Sequence, residues 1–128
     1  MTIARIIPNF CSTRLEATRE FYSTLLGFEV RFESAWYLQL GSPVYPALEI
    51  GFIRRDHQLV PKPFQGSPRG TYLTVVVEAV ERVYAQAQQM GCEIMQAPQD
   101  EFYGQRRMLL VDPNGLLIDV SSPVGNAE

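Results

Sequence analysis

Two acidic side chains stand alone inside apolar segments of this chain, Glu49 between Leu48 and Ile50, and Asp119 between Ile118 and Val120. Along a β-strand successive side chains point to opposite faces. If the flanking apolar residues pack toward helices, both carboxylates face the other way. Two carboxylates brought together in a closed site repel one another and lose water, which raises one pKa. Such a pair shares a proton, serves as acid and base, or grips a cation. Glu49 and Asp119 are therefore the catalytic candidates. Arg106, in YGQR, is read onto the same inward face. There it either binds an anionic or carbonyl group of a ligand or neutralises the carboxylates; both readings stand. The alternative is purely structural, with one carboxylate paired to Arg106 and the other near solvent.

Around these charges the chain offers aromatic and polar side chains in quantity. Tyr37 and Gln39 alternate with Leu38 and Leu40 and so point inward, and Asn9, Tyr72 and Thr74 share the inward parity of their own strands. Phe52, Phe64, Phe102 and Tyr103 fall at segment ends or loops, where a rim would be. Aromatic walls with a few polar groups suit a flat organic ligand. The ligand-binding set is Asn9, Tyr37, Gln39, Glu49, Phe52, Tyr72, Thr74, Tyr103, Arg106 and Asp119. Each aromatic taken singly fits core packing as well; Trp36 is assigned to packing.

The elements that position these residues occur twice. Residues 3–53 and 70–122 each read as strand, helix and three strands, joined by a Pro/Gly-rich linker at 54–69 that holds the sole histidine, His57. In the first copy Ile3–Cys11 is rich in strand formers, and Thr13 to Glu16 reads as a capping box. Leu15, Phe21, Tyr22, Leu25 and Leu26 follow at helical spacing, ended by Gly27. Phe28, Val30 and Phe32 then alternate with charged residues, and Trp36–Leu40 and Ala47–Phe52 complete the module. The second copy runs Thr71–Val77, a helix over Ala79–Met90 ended by Gly91, Glu93–Gln96, and a hairpin over Arg106–Val120 turned at DPNG. The linker reads as a flap, and 123–128 as a tail. A single βαβββ module covers one sheet face with its helix and leaves the other uncovered. The expected fold is α+β: one domain of two tandem modules forming a curved, cupped mixed sheet, with helices outside. A homodimer is the expected assembly.

Composition narrows the function. The 128 residues carry a net charge of −3 with 46% hydrophobic and 20% charged content, an ordinary soluble composition. Nucleic acid and anionic membrane surfaces favour a basic face, so neither is an expected partner. No apolar run approaches the roughly 20 residues of a membrane span. MTIARIIPNF lacks the features of a signal peptide, and Cys11 and Cys92 show neither metal spacing nor a disulfide framework. The expected compartment is the cytoplasm.

FYSTLLGFEV after a strand and helix start, VERVYAQAQQMG, and YGQRRMLLVDPNGLLIDV together resemble the vicinal oxygen chelate superfamily, the group of glyoxalase I, extradiol dioxygenases and bleomycin-resistance proteins. The resemblance covers almost the whole chain. It implies metal ligands on the first and last strands of each module, which map to Ile7, Tyr72 (or Thr71), Glu49 and Asp119. Enzymes of the family carry histidines and one or two glutamates there. Isoleucine removes a ligand outright, and two lone carboxylates favour hard, weakly held ions.

Three functions follow. The first is a metal-free protein that binds a small, partly aromatic molecule, like the bleomycin-resistance branch, with no cofactor. The second is a metal-dependent lyase, isomerase or dioxygenase using Glu49 and Asp119 on a divalent metal. The third is a metal-independent acid/base enzyme built on the same pair. Binding is the preferred reading.

Overall fold

The computed structural model describes residues 1–124. The chain divides into two units, 1–68 and 69–128, and each holds one βαβββ module, the α+β architecture expected.

The first module runs β1 (Asn9–Ser12), α1 (Leu15–Leu26), β2 (Glu29–Glu33), β3 (Tyr37–Gly41) and β4 (Glu49–Arg54). Its sheet order is β1-β4-β3-β2, with β1 parallel to β4 and the other pairs antiparallel. The helix α1 lies across β2, β3 and β4 and buries Phe21, Tyr22 and Leu25 against Leu38, Leu40, Ile50 and Phe52. Gly27 ends it at φ 73°, where its N–H reaches Tyr22 O, a conformation glycine adopts at no steric cost.

The start of α1 differs from the expected capping box. Arg14 is the N-cap and no side chain caps the helix; instead Ser12 Oγ accepts the Arg14 N–H at 2.9 Å. The first strand is also shorter than Ile3–Cys11. Pro8 lacks the N–H a ladder needs, so residues 1–8 run outside the sheet with Ile3 and Ile6 exposed. On β2 the alternation breaks at a bulge between Val30 and Phe32, and Val30 and Phe32 are exposed rather than half-buried. Leu48, expected to face the helix, precedes β4 and is also exposed.

The second module repeats the plan with β5 (Tyr72–Val76), α2 (Val80–Gln89), β6 (Glu93–Asp100), β7 (Gln105–Val111) and β8 (Leu117–Pro123), in sheet order β5-β8-β7-β6. Its core is Val80, Ala87, Met108, Leu110, Leu116, Ile118 and Val120. β6 continues through Pro98 beyond its expected end at Gln96, which an edge strand permits. β8 likewise extends into the expected tail, whose last residues, 125–128, lie outside the described ones. The DPNG turn is held by Asp112 Oδ1, which accepts the Asn114 and Leu116 N–H groups at 2.7 and 2.9 Å.

The segment after β4 is folded onto the first module. A short 3-10 helix spans Lys62–Phe64, and Gln65 Nε2 donates to Val60 O at 2.9 Å. The His57 ring stacks on Trp36 with centroids 4.0 Å apart. Among the described residues no helix is long and apolar enough to cross a membrane.

Candidate functional site

Strand register decides which side chains share a face. In the first module Tyr37 pairs with Ile53, Gln39 with Gly51, Gly41 with Glu49, and Asn9 with Gly51. These residues occupy the sheet face away from α1, because Leu38, Leu40, Ile50 and Phe52 fill the helix side. Glu49 stands at the start of β4, opposite the last residue of β3, and gathers the charged partners. Arg5 reaches it from the segment before β1 with Nη2 at 2.6 Å from Oε1 and Nε at 2.9 Å from Oε2, a bidentate fork. Gln39 Nε2 donates to Oε1 at 2.7 Å, and Arg31 Nη1 lies 3.3 Å from the same oxygen. The Arg5 hydrogen bond holds the Glu49 carboxyl below the usual carboxylate range, against the opposing effect of burial.

Two glycines make room for this arrangement. The Arg31 guanidinium lies where a Cβ on Gly41 would stand, and the Tyr37 hydroxyl and Asn9 Oδ1 lie where one on Gly51 would stand. The bulge at β2 re-aims Arg31 across the sheet, where it also donates to Pro46 O at 2.7 Å and Ser42 O at 2.8 Å. Tyr37 donates to Asn9 Oδ1 at 2.6 Å; burial first, then the Glu49 charge, raises its phenol pKa. Beside the ion pairs opens a cavity of about 770 Å³, walled by Ile3, Ala4, Ile6, Pro46 and Ala47.

In the second module the face away from α2 carries Tyr72 and Thr74 on β5, Asp119 on β8, and Gln105 and Arg107 on β7. Asp119 is buried. Its Oδ2 accepts the Thr74 hydroxyl at 3.1 Å and lies 3.7 Å from Arg107 Nη1.

Three sequence readings require correction. Arg106 is on the helix side: it pairs with Glu81 of α2 and, at 3.0 Å, with Asp100. Because β7 and β8 pair odd residues with odd, the arginine sharing a face with Asp119 is Arg107. Phe52 is no rim residue; it is fully buried, with ring centroids 5.2 Å from Tyr22 and 5.8 Å from Phe10. Its even position on β4 sends it under the helix. Glu49 and Asp119 do not occupy equivalent stations either. Asp119 stands opposite Thr74 as Gly51 stands opposite Asn9, with Thr74 and Asn9 each six residues before a helix start. Glu49 comes one same-face step earlier. His57, in the segment after β4, stands apart from both groups of charges, its Nδ1 accepting the Leu59 N–H at 3.1 Å.

Of the other expected ligand-binding residues, the first module brings together Asn9, Tyr37, Gln39 and Glu49. The second module joins Thr74 and Asp119, with Tyr72 exposed on the same face. Tyr103 is exposed in the loop before β7, edge-on to Phe102 at 5.3 Å. Sequence reading missed Arg5, Arg31, Arg107 and the two glycines. Counting parity back across the DPNG turn from Asp119 would have found Arg107.

The family model for the Glyoxalase/Bleomycin resistance protein/Dioxygenase superfamily matches residues 3–120. The chain belongs to this superfamily. No curated protein matches the sequence. Among solved structures, a superfamily enzyme from Burkholderia phytofirmans PsJN is similar with a TM-score of 0.78 at 18% identity, over 91% of this chain and 96% of that one. TnmS3, an antibiotic binding protein from Streptomyces sp. CB03234, has a TM-score of 0.75 at 21% identity, over 96% and 98% of the two chains. A bleomycin resistance determinant encoded on the transposon Tn5 has a TM-score of 0.62 at 21% identity, over 94% and 98%. At these identities the likeness establishes the superfamily fold, and the α+β, two-module reading stands with it.

Proposed function

We propose that this protein binds a small, partly aromatic organic molecule, holds it without a metal ion, and does no chemistry on it. The observation that carries this reading is the engagement of Glu49. Both of its oxygens already accept from Arg5, and Gln39 and Arg31 add a hydrogen bond and a second ion pair. A divalent cation at Glu49 would have to displace or sit beside two guanidinium groups, so this donor set fits the superfamily's metal poorly. A general base there would likewise be a carboxylate stripped of basicity by its partners. What this side of the module does offer is a cavity of about 770 Å³ with apolar walls and a few polar groups at its base, within the size range of small-molecule sites.

The two neighbours described as an antibiotic binding protein and a bleomycin resistance determinant support the same reading. So do the Tyr37-side and Tyr72-side faces, each mixing aromatic and polar groups. Exposed Val30 and Phe32 on β2 and Met95 on β6 support a second copy covering these edge strands, the homodimer expected from sequence.

The test is metal analysis by mass spectrometry on untagged protein purified without chelator, followed by a thermal-shift screen of aromatic heterocycles and natural-product antibiotics. The expected result is sub-stoichiometric metal before and after add-back of nickel, iron, zinc and manganese, together with saturable stabilisation by some ligands and no turnover of them. A stoichiometric ion lost on Asp119→Ala would overturn the reading in favour of a lyase, isomerase or dioxygenase. Metal-free turnover with a bell-shaped pH profile, abolished by Glu49→Gln or Asp119→Asn, would overturn it in favour of acid/base catalysis.

A further inference from the structure

Among the described residues, the buried side-chain atoms without a hydrogen-bond partner are Gln105 Oε1, Arg107 Nε and Asp119 Oδ1. All three belong to one face of two adjacent strands. The ladder between β7 and β8 pairs Gln105 with Pro123, Arg107 with Ser121 and Leu109 with Asp119, and directly paired residues share a face. Native proteins leave few buried polar atoms unpaired, and each is costly. Their gathering on the side of the second sheet opposite its helix calls for a partner.

The chemistry of that partner can be read from Asp119 and Arg107. Asp119 is 5% exposed; Oδ2 is occupied by Thr74 and by the approach of Arg107 Nη1 at 3.7 Å. Oδ1 remains as a free acceptor. Arg107 Nε makes no hydrogen bond, its ion pair with Glu101 Oε2 being 3.5 Å long, and so keeps its N–H to donate. An acceptor and a donor on neighbouring side chains complement a group that presents N–H and C=O side by side. Lactams, primary carboxamides and ureides do so; an ordinary trans peptide amide points them in opposite directions. One cation among the two carboxylates Asp119 and Glu101 leaves the patch negative, which disfavours a carboxylate ligand. Tyr72 and Val76 share this face through β5 and are 54% and 63% exposed, giving a ring an apolar surface to lie on.

We infer that Asp119 and Arg107 form a two-point recognition edge for a neutral cis-amide on a flat ring, with Asp119 Oδ1 accepting its N–H and Arg107 Nε donating to its C=O. This rests on the ligand-binding reading above and names the chemical class that the second module selects.

The probe is 2-quinolone, titrated into the full chain and followed by backbone amide shifts in two-dimensional NMR, with N-methyl-2-quinolone as its donor-blocked twin. The expected result is saturable shifts centred on β5, β7 and β8, with N-methyl-2-quinolone bound at least about tenfold more weakly, the equivalent of one lost hydrogen bond to a charged group. Asp119→Ala and, separately, Arg107→Leu should each bring 2-quinolone down to the level of its twin. The two-probe comparison on the unaltered chain needs neither variant to fold. Equal affinity for both probes would overturn the inference and leave shape alone as the selector. So would shifts confined to the Arg5–Glu49 cavity, or no shift at millimolar probe, which would mark Asp119 and Arg107 as an internal ion pair only. The wider reading fails separately, when the heterocycle and antibiotic screen returns no ligand at all.

Discussion

The Tyr37 hydroxyl and Asn9 Oδ1 meet at 2.6 Å in the space a Cβ on Gly51 would fill, so that a side chain there would overlap both atoms. Glycine is needed there for its missing side chain, since Gly51 is not among the positive-φ glycines. Gly51→Ala is expected to push Tyr37 and Asn9 apart and to cost about 1–3 kcal/mol, as overpacking usually does. Urea unfolding checks this. In a Tyr37→Phe background, where the hydroxyl is gone, the same change should cost measurably less; a strictly additive pair would place the strain elsewhere.

Glu49 sets an acid limit on the first module. Its pKa is depressed, chiefly by the Arg5 hydrogen bond. A carboxylate depressed in the folded state contributes stability that is complete above its unfolded value of about 4.3 and disappears as pH falls through the folded one. Unfolding midpoints measured between neutral pH and acid should therefore fall more steeply below about pH 4 for the natural chain than for Glu49→Gln. Identical acid limbs would show that the pair forms without linkage to stability.

Phe52 belongs to the core, so its truncation should register as lost stability. Fully buried against Tyr22 and Phe10, it should lose about 3–5 kcal/mol on Phe52→Ala. A variant of near-normal stability with impaired ligand binding would return Phe52 to the rim that sequence placed it on.

Arg106 gives the opposite pattern. Its partners Glu81 and Asp100 are exposed, and exposed pairs contribute little and are screened by salt. Arg106→Ala should cause a small loss of thermal stability that vanishes at high ionic strength, and should leave ligand affinity untouched. A marked loss of affinity would contradict the helix-side placement.

The fold was legible because each signal was local and repeated. The helix-ending glycines Gly27 and Gly91, both at positive φ, and the DPNG turn locate the two modules without tertiary information. The failures came where one residue more or less changes a face. Pro8 cuts β1 short, the bulge at Arg31 breaks a clean alternation, and β6 runs past Gln96 through Pro98 because an edge position tolerates proline. Arg106 was misplaced by one residue although Ile118 and Val120, already assigned to the helix side, fixed the parity of the hairpin. Arg5 left no sequence signal, because it reaches Glu49 from a stretch outside the sheet. The carboxylates themselves were visible as charges between apolar residues; their partners, which decide what those charges do, were contributed by distant segments.

The stack of His57 on Trp36 gives the protein an optical reporter of its own. The chain has one tryptophan and one histidine, and their rings lie 4.0 Å apart at an interplanar angle of 15°. All indole emission therefore arises from a single site on the first module, beside the segment that leaves β4. Its intensity and wavelength follow whether that segment stays docked, with no label added. Loading of the second module's Asp119–Arg107 edge and loosening of the segment after β4 can thus be observed in one cuvette as separate events, the first by ligand spectroscopy and the second by intrinsic fluorescence.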